Sequence, residues 1–197
     1  MKQFVSSIRG AVENGNWFSA LFLALAVPDV CGALENPNAA VGDRYKSWFN
    51  RYLKQKYDPT TLFDSLLITS PESLAALSID DISRLKSTSV EAKSNFTADD
   101  CYRFRCKCLH QGLPEKMEGE RIHFTAPDKL GRVIVHRCLF NGIYQMQIDI
   151  FCNDICQATE QWIQDVVQDS KIQNRMAQLI EIYDLDSPHL PIVKYEA

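Results

Sequence analysis

The sequence lacks several features that would assign it to a familiar class of protein. It contains no glycine-rich phosphate loop, so nothing predicts ATP hydrolysis. It shows no internal repeat and no low-complexity tract. The 21 Lys and Arg residues are outnumbered by 25 Asp and Glu residues, giving a formal net charge of −4. That balance argues against a protein that coats nucleic acid non-specifically, although it is compatible with a local basic patch.

A membrane span and a cleaved signal peptide are not predicted either. The apolar run from Ala20 to Val27 has eight residues, whereas a helix needs about 20 to cross a bilayer. Glu13, Asn14 and Asn16 precede this run and Asp29 follows it, which does not fit a secretory signal. The seven cysteines are an odd number without secretory context, and we interpret them as reduced thiols. We therefore expect a cytoplasmic protein with no membrane partner.

The spacing of the cysteines does not favour zinc. Cys101, Cys106, Cys108 and His110 place soft ligands within ten residues of one another. A continuous helix would spread them over different faces, and the usual two-residue gap between paired cysteines is missing. No metal and no other cofactor is predicted.

Helical periodicity dominates the chain, which has 197 residues, 46% of them hydrophobic, and is large enough for one buried core. A long apolar helix is expected after the capping residue Asn16, with a kink or break at Pro28. The other predicted helices cover residues 1–13, 44–57, 62–68, 72–77, 78–85, 97–111, 148–166 and 171–183, with a loop at 36–43.

A short β segment interrupts this pattern. Residues 121–125 and 132–139 alternate apolar and polar side chains, and Asn141-Gly142 is a strong signal for a tight turn between strands. We expect a small antiparallel sheet of two or three strands at about 120–147, before the C-terminal helices. The predicted fold class is therefore α+β, mainly α, with one domain over residues 1–183 and an irregular tail at 184–197.

The stretch from Thr97 to Pro114 predicts one helix with both ends defined. Thr97 can cap its first turn, where Asp99 and Asp100 suit the positive end of the helix dipole. Gly112 suits the left-handed residue that closes a helix, and Pro114 cannot continue one. The helix should therefore end near residue 111, which leaves His110 in its last turn.

Arg105 and His110 give this helix a resemblance to a known family. An arginine, four intervening residues and a histidine near a helix end are similar to the signature of the HEPN (higher eukaryotes and prokaryotes nucleotide-binding) superfamily. The resemblance covers residues 1–112 and 146–183 and implies a HEPN-like helical bundle. It also implies metal-independent RNA cleavage by the ribose 2′-hydroxyl, at a site composed of two such helices facing across a homodimer. HEPN nucleases commonly carry Asn, Asp or His directly after the arginine, and this chain has Cys106.

The chemistry of RNA cleavage matches these two residue types. Histidine can take and return a proton near neutral pH, so His110 is the candidate acid–base group. An arginine fork suits the negative charge that builds on phosphate, so Arg105 is the candidate for stabilising it. Tyr102 and Lys107 are close enough in sequence to help bind a phosphate or base, or they lie on the surface without such a role. The alternative is that Arg105 pairs with a core carboxylate and His110 merely ends the helix.

Two carboxylates follow the apolar helix and need an explanation. Asp29 and Glu35 are costly to bury unpaired, so each is expected to be exposed, to cap a helix or to have a cationic partner. The sharper hypothesis is that one of them orients Arg105 or His110. At about 100° per residue, Arg105 and His110 lie about 140° apart around an ideal helix, unless its end frays.

We expect a homodimeric, metal-independent endoribonuclease that acts on RNA. From the resemblance we expect a toxin or anti-phage defence effector, with a cognate antitoxin or regulatory partner. The alternative is a non-catalytic helical module that binds nucleotide, RNA or a protein partner. In the helix at 44–57, basic residues mixed with aromatic residues fit either RNA contacts or a solvated face over a core.

Overall fold

The computed structural model describes residues 1–90, 95–117 and 120–182. Within these residues the chain forms ten helices and a small sheet, which confirms the predicted α+β, mainly α, class. The helices are α1 (Lys2–Glu13), α2 (Trp17–Glu35), α3 (Val41–Tyr52), α4 (Lys54–Tyr57), α5 (Leu62–Thr69), α6 (Pro71–Leu74), α7 (Ile79–Ser87), α8 (Ala98–Gln111), α9 (Ile148–Asp165) and α10 (Ser170–Met176). The strands are β1 (Glu115–Met117), β2 (Glu120–Thr125), β3 (Cys138–Phe140) and β4 (Ile143–Gln147).

Helix α2 lies at the centre of the core and packs against α1, α3, α8 and α9. Asn16 caps it by accepting a hydrogen bond from the Ser19 N–H at 3.4 Å, as predicted. The helix does not break at Pro28 but continues to Glu35. Proline removes one backbone donor, and this loss is offset because neighbouring residues such as Leu25 and Cys31 are fully buried against the core.

Because α2 passes through Pro28, it is longer than the eight-residue apolar run suggested. An 18-residue window of this 19-residue helix has a mean hydropathy of 1.8, so by length and composition alone the helix could cross a membrane. Half of this apolar window is buried inside the protein, as in a core helix. The packing of α2 on its neighbours accounts for its apolar sequence.

Several helix boundaries differ from the prediction. α3 begins at Val41, inside the predicted loop, and the expected helix at 44–57 is divided into α3 and α4 at Leu53. α6 ends at Leu74, three residues earlier than predicted, and α10 ends at Met176. Residue 183 and the predicted tail at 184–197 lie outside the described residues.

The sheet is mixed, which corrects the antiparallel prediction. Its strand order is β1-β2-β4-β3, and β2 pairs with β4 in parallel, with Ile122 opposite Tyr144. After β2 the chain runs through residues 126–137 and forms β3 without pairing it with β2. β4 then takes the position between β2 and β3. A strand was expected at 132–139, but of these residues only Cys138 and Leu139 are in β3. The Asn141-Gly142 turn is present, with φ of 49° and 75°.

Helix α8 has the predicted caps at both ends. The Thr97 hydroxyl oxygen accepts from the Asp100 N–H at 3.1 Å, while the Asp100 carboxylate accepts from the Thr97 N–H at 2.9 Å. At the other end Gly112 has φ 68°, its N–H donates to the Cys108 carbonyl at 3.0 Å, and the next N–H donates to the Lys107 carbonyl. These caps fix the direction of the helix that carries the candidate residues.

We predict that Thr97→Ala lowers the free energy of unfolding by about 1 kcal/mol, because it removes the side chain that caps α8. Urea denaturation followed by circular dichroism measures the change. The matched control is Thr60→Ala, since the exposed Thr60 side chain makes no hydrogen bond within the described part of the chain. Equal stability of the two variants would contradict this assignment of the cap.

Candidate functional site

Arg105 is held by a carboxylate from the central helix. Its Nη2 lies 3.1 Å from Oδ2 of Asp29, and the two side chains are 16% and 18% exposed. Asp29 is therefore one of the two carboxylates proposed from the sequence, and it contacts Arg105 directly. A partly exposed arginine side chain with a fixed orientation can bind a phosphate without losing much conformational entropy.

Arg44, at the start of α3, binds the same carboxylate. Its Nε and Nη2 each lie 2.9 Å from Oδ1 of Asp29, and its side chain is 16% exposed. Gly32 allows α3 to come this close to α2, because a Cβ atom there would lie 2.9 Å from the Arg44 carbonyl oxygen. No feature of the sequence singles out Arg44, since no spacing links it to Arg105.

The remaining edges of the Arg105 guanidinium are only weakly engaged. Its Nη1 lies 3.9 Å from Sγ of Cys106, and its Nε is buried without a hydrogen-bond partner among the described residues. The Tyr102 ring packs against Gly42, where a Cβ atom would come within 3.2 Å of the ring, and Cys106 and Arg105 are close enough to act on the pKa of its hydroxyl. A role for Tyr102 in binding a phosphate or base stays a prediction.

Cys101 lies on the buried face of α8, where it contacts Tyr45 of α3. The hydroxyl of Tyr45 and the thiol of Cys101 lie 3.3 Å apart, and both side chains are fully buried. Burial raises the pKa of Cys101 to about 12, so the group stays a neutral thiol. Cys101 therefore contributes to the packing of α8 against α3.

Glu35 has a different role from the one proposed for it. Its carboxylate accepts two hydrogen bonds from Arg51, at 2.8 and 3.1 Å, and one from the Trp162 indole N–H at 2.8 Å. Glu35 lies six residues beyond Asp29 on α2, about 240° around the helix, so it faces α9 and not α8. It anchors the core helices to one another and contacts neither Arg105 nor His110.

His110 lies exposed in the last turn of α8. It makes no hydrogen bond or ion pair within the ranges that the structure describes. The helix stays regular through Gln111, so the end does not fray to bring the imidazole toward Arg105. The two side chains leave the same helix about 140° apart. One chain therefore presents the arginine and the histidine in different directions.

Lys107 lies near the surface of α8, whereas Cys101 and Cys108 on the same helix are buried. Lys107 Nζ lies 3.9 Å from the Glu115 carboxylate, with 45% of the lysine side chain exposed. All seven cysteines are free thiols. Among the described residues no group of three or more His, Cys, Asp or Glu side chains is placed to hold a metal ion.

Comparison with known proteins supplies no relative from which a role can be transferred. No family model matches the chain, and no match was found to a curated protein or to a solved structure. The HEPN assignment therefore remains a prediction from the residues of α8.

A second polar cluster, which the sequence did not indicate, surrounds the fully buried Tyr57. The Gln147 N–H donates to Nδ1 of His136 at 3.2 Å, so Nε2 carries the proton of the neutral ring and faces the Tyr57 hydroxyl at 3.3 Å. That hydroxyl donates to Asp154 at 2.7 Å, and Lys56 donates to the other carboxylate oxygen at 2.7 Å. Because its members satisfy one another, we interpret this cluster as structural.

We predict that His136 makes the protein less stable in acid. Burial, the largest cause, and the nearby Arg137 and Lys56 charges lower its pKa from 6.5 to about 4, although Asp154 and Asp149 oppose this shift. Between these pH values the unfolded chain binds a proton that the folded chain does not, so stability falls as pH drops from about 6.5 to about 4.

Urea midpoints at about pH 7 and about pH 4.5 test this dependence. The His136→Asn variant should lose part of the decrease, because it has no imidazole to titrate. The control His123→Asn, at an exposed position of β2, should keep the full decrease. Parallel curves for the wild type and His136→Asn would show that the ring does not contribute.

Proposed function

We propose that this protein is a metal-independent endoribonuclease of HEPN type that works as a homodimer. The observation that supports this most directly is the arrangement on α8. Arg105 is fixed by Asp29 with 16% of its side chain exposed, and His110 is exposed in the last turn of the same helix. These are the two functional groups that cleavage through a ribose 2′-hydroxyl requires.

In the proposed reaction the 2′-oxygen attacks the neighbouring phosphorus as His110 removes its proton. The bond from phosphorus to the 5′-oxygen breaks, leaving a 2′,3′-cyclic phosphate on one fragment. A protonated imidazole returns a proton to the departing 5′-oxygen, which becomes a hydroxyl. Arg105 donates hydrogen bonds to the phosphate oxygens as negative charge builds on them, so its contribution is largest in the transition state.

The geometry of α8 favours a site shared between two chains. Because Arg105 and His110 project about 140° apart, one regular helix cannot turn both toward one phosphate. Two copies of α8 facing each other across a two-fold axis would bring Arg105 of one protomer near His110 of its partner. The homodimer is therefore part of the proposal.

The proposed setting is the cytoplasm, where the free thiols would stay reduced. The family resemblance suggests a toxin or an anti-phage defence effector, held inactive by an antitoxin or regulatory partner. RNA is the proposed substrate.

One observation favours a second candidate, a non-catalytic module that binds RNA or nucleotide. Arg105 already has a carboxylate partner, and His110 does not approach it within one chain. An arginine in that position can hold a phosphate without any cleavage following. The two candidates differ in whether His110 matters, because binding alone does not need an acid–base group.

We predict that Arg105→Ala and His110→Ala each lower the rate of RNA cleavage at least about a hundredfold. The assay incubates purified protein with mixed RNA in a chelator and follows products carrying 2′,3′-cyclic phosphate ends. Matched controls are Arg103→Ala, an exposed arginine of α8, and His123→Ala, an exposed histidine of β2, and both should retain activity.

An intact RNA pool with the wild-type protein, together with binding that depends on Arg105 but not on His110, would favour the module instead. Equal loss of cleavage in the Arg103→Ala control would mean that total positive charge, and not Arg105 itself, is responsible.

We further predict that the two inactive variants restore each other when they are co-expressed. A mixed dimer of Arg105→Ala and His110→Ala chains would contain one site with both residues intact. Random pairing makes half of the dimers mixed, and each of these has one intact site of two, so about a quarter of wild-type activity should return. Differently tagged chains allow the mixed dimer to be purified and assayed. Continued inactivity of that dimer, beside an active wild type, would rule out sharing in this form.

A further inference from the structure

We propose that Arg44 is a positioning residue of the candidate site. It shares the Asp29 carboxylate with Arg105, so the three groups together keep a net positive charge that can attract phosphate. The substrate in this proposal rests on the proposed ribonuclease function. Arg44 would act through the carboxylate, without taking part in the chemical step.

The division of the carboxylate supports this role. Arg44 makes both of its contacts to Oδ1, at 2.9 Å, whereas Arg105 contacts Oδ2 at 3.1 Å. Arg44 thus has the shorter and more numerous contacts to the shared group. The carboxylate holds the Arg105 side chain in place while much of its negative charge is directed at a second guanidinium.

The net charge of the three groups shows what Arg44 contributes. Two guanidiniums and one carboxylate carry a net charge of +1. Without Arg44 the remaining pair is neutral, and Asp29 can give both oxygens to Arg105. These side chains are more than four-fifths buried, so solvent screens the loss of this net charge less than it would at the surface. A neutral pair attracts a phosphate more weakly than a pair that shares its carboxylate.

A purely structural role for Arg44 makes a different prediction. The same contacts join α2 and α3, so loss of Arg44 could weaken binding simply by loosening the helices. In that case the additional loss of Asp29 would weaken binding further. If charge is the cause, the double variant Asp29→Asn/Arg44→Gln should recover binding, because Arg105 then carries an unopposed positive charge.

The experiment measures binding separately from cleavage. The probe is a fluorescently labelled 2′-O-methyl oligonucleotide, which lacks the attacking hydroxyl and cannot be cleaved. Anisotropy titrations over a series of salt concentrations give the Kd and its salt dependence, and thermal melts report the stability of each variant. The matched control is Arg51→Gln, which removes the same charge. Arg51 also lies on α3 and is ion-paired to Glu35 of α2.

We expect Arg44→Gln to weaken binding about tenfold and to reduce the salt slope by about 0.7, because the neutral Arg105–Asp29 pair no longer acts as one cation against the phosphate. Arg44→Lys should bind better than Arg44→Gln because it keeps the charge. The double variant should return the Kd and slope toward wild-type values, even if its melting temperature is lower. Arg51→Gln should bind like the wild type.

Binding by Arg44→Gln that equals that of Arg51→Gln would overturn the proposal. So would a double variant that is folded yet binds no better than Arg44→Gln. Failure of the ribonuclease proposal appears elsewhere, as absence of cleavage in unmodified RNA. A protein that binds the probe through Arg44 and Arg105 but does not cleave RNA would retain this inference as a property of a binding module.

Discussion

The carboxylate of Asp29 is the interaction on which the candidate site depends. It joins three helices, since it comes from α2 and its partners Arg44 and Arg105 come from α3 and α8. Taking charged groups out of water costs free energy that one ion pair often fails to recover. Here one carboxylate meets two guanidiniums, so two attractive contacts act against the desolvation of three charged groups and one net positive charge remains. The core thus presents a fixed cation near its surface.

The regularity of α8 has two consequences for function. The caps at Thr97 and Gly112 hold the helix straight to its last turn, which gives His110 a defined and exposed position. The same regularity keeps the imidazole away from Arg105 of its own chain. A frayed helix could have formed a site within one molecule, which is why the proposed chemistry on a well-capped helix includes a second copy of the chain.

Not every buried charge in this protein serves the site. Asp29 and Glu35 both lie on α2, and the carboxylate of each forms ion pairs with arginine. Glu35 also accepts the Trp162 indole N–H, and α10 adds a contact because Arg175 donates to the Leu34 carbonyl at 2.6 Å. That group of contacts closes the helical core. Asp29, six residues earlier, faces α8, so position around one helix separates a structural ion pair from a candidate functional one.

Local sequence determined the helices, their caps and the tight turn, because each depends on neighbouring residues. Asn16, Thr97, Gly112 and the Asn141-Gly142 pair act within a few residues, and the predictions for them are confirmed. The sequence likewise marked Asp29 as a carboxylate in need of a partner. Only the tertiary structure decided that the partner is Arg105, 76 residues away, and that Arg44 shares it. The parallel pairing of β2 with β4 and the different role of Glu35 were decided in the same way. These outcomes depend on which helix faces and strand edges meet when the core closes, and that choice is made by packing over the whole chain.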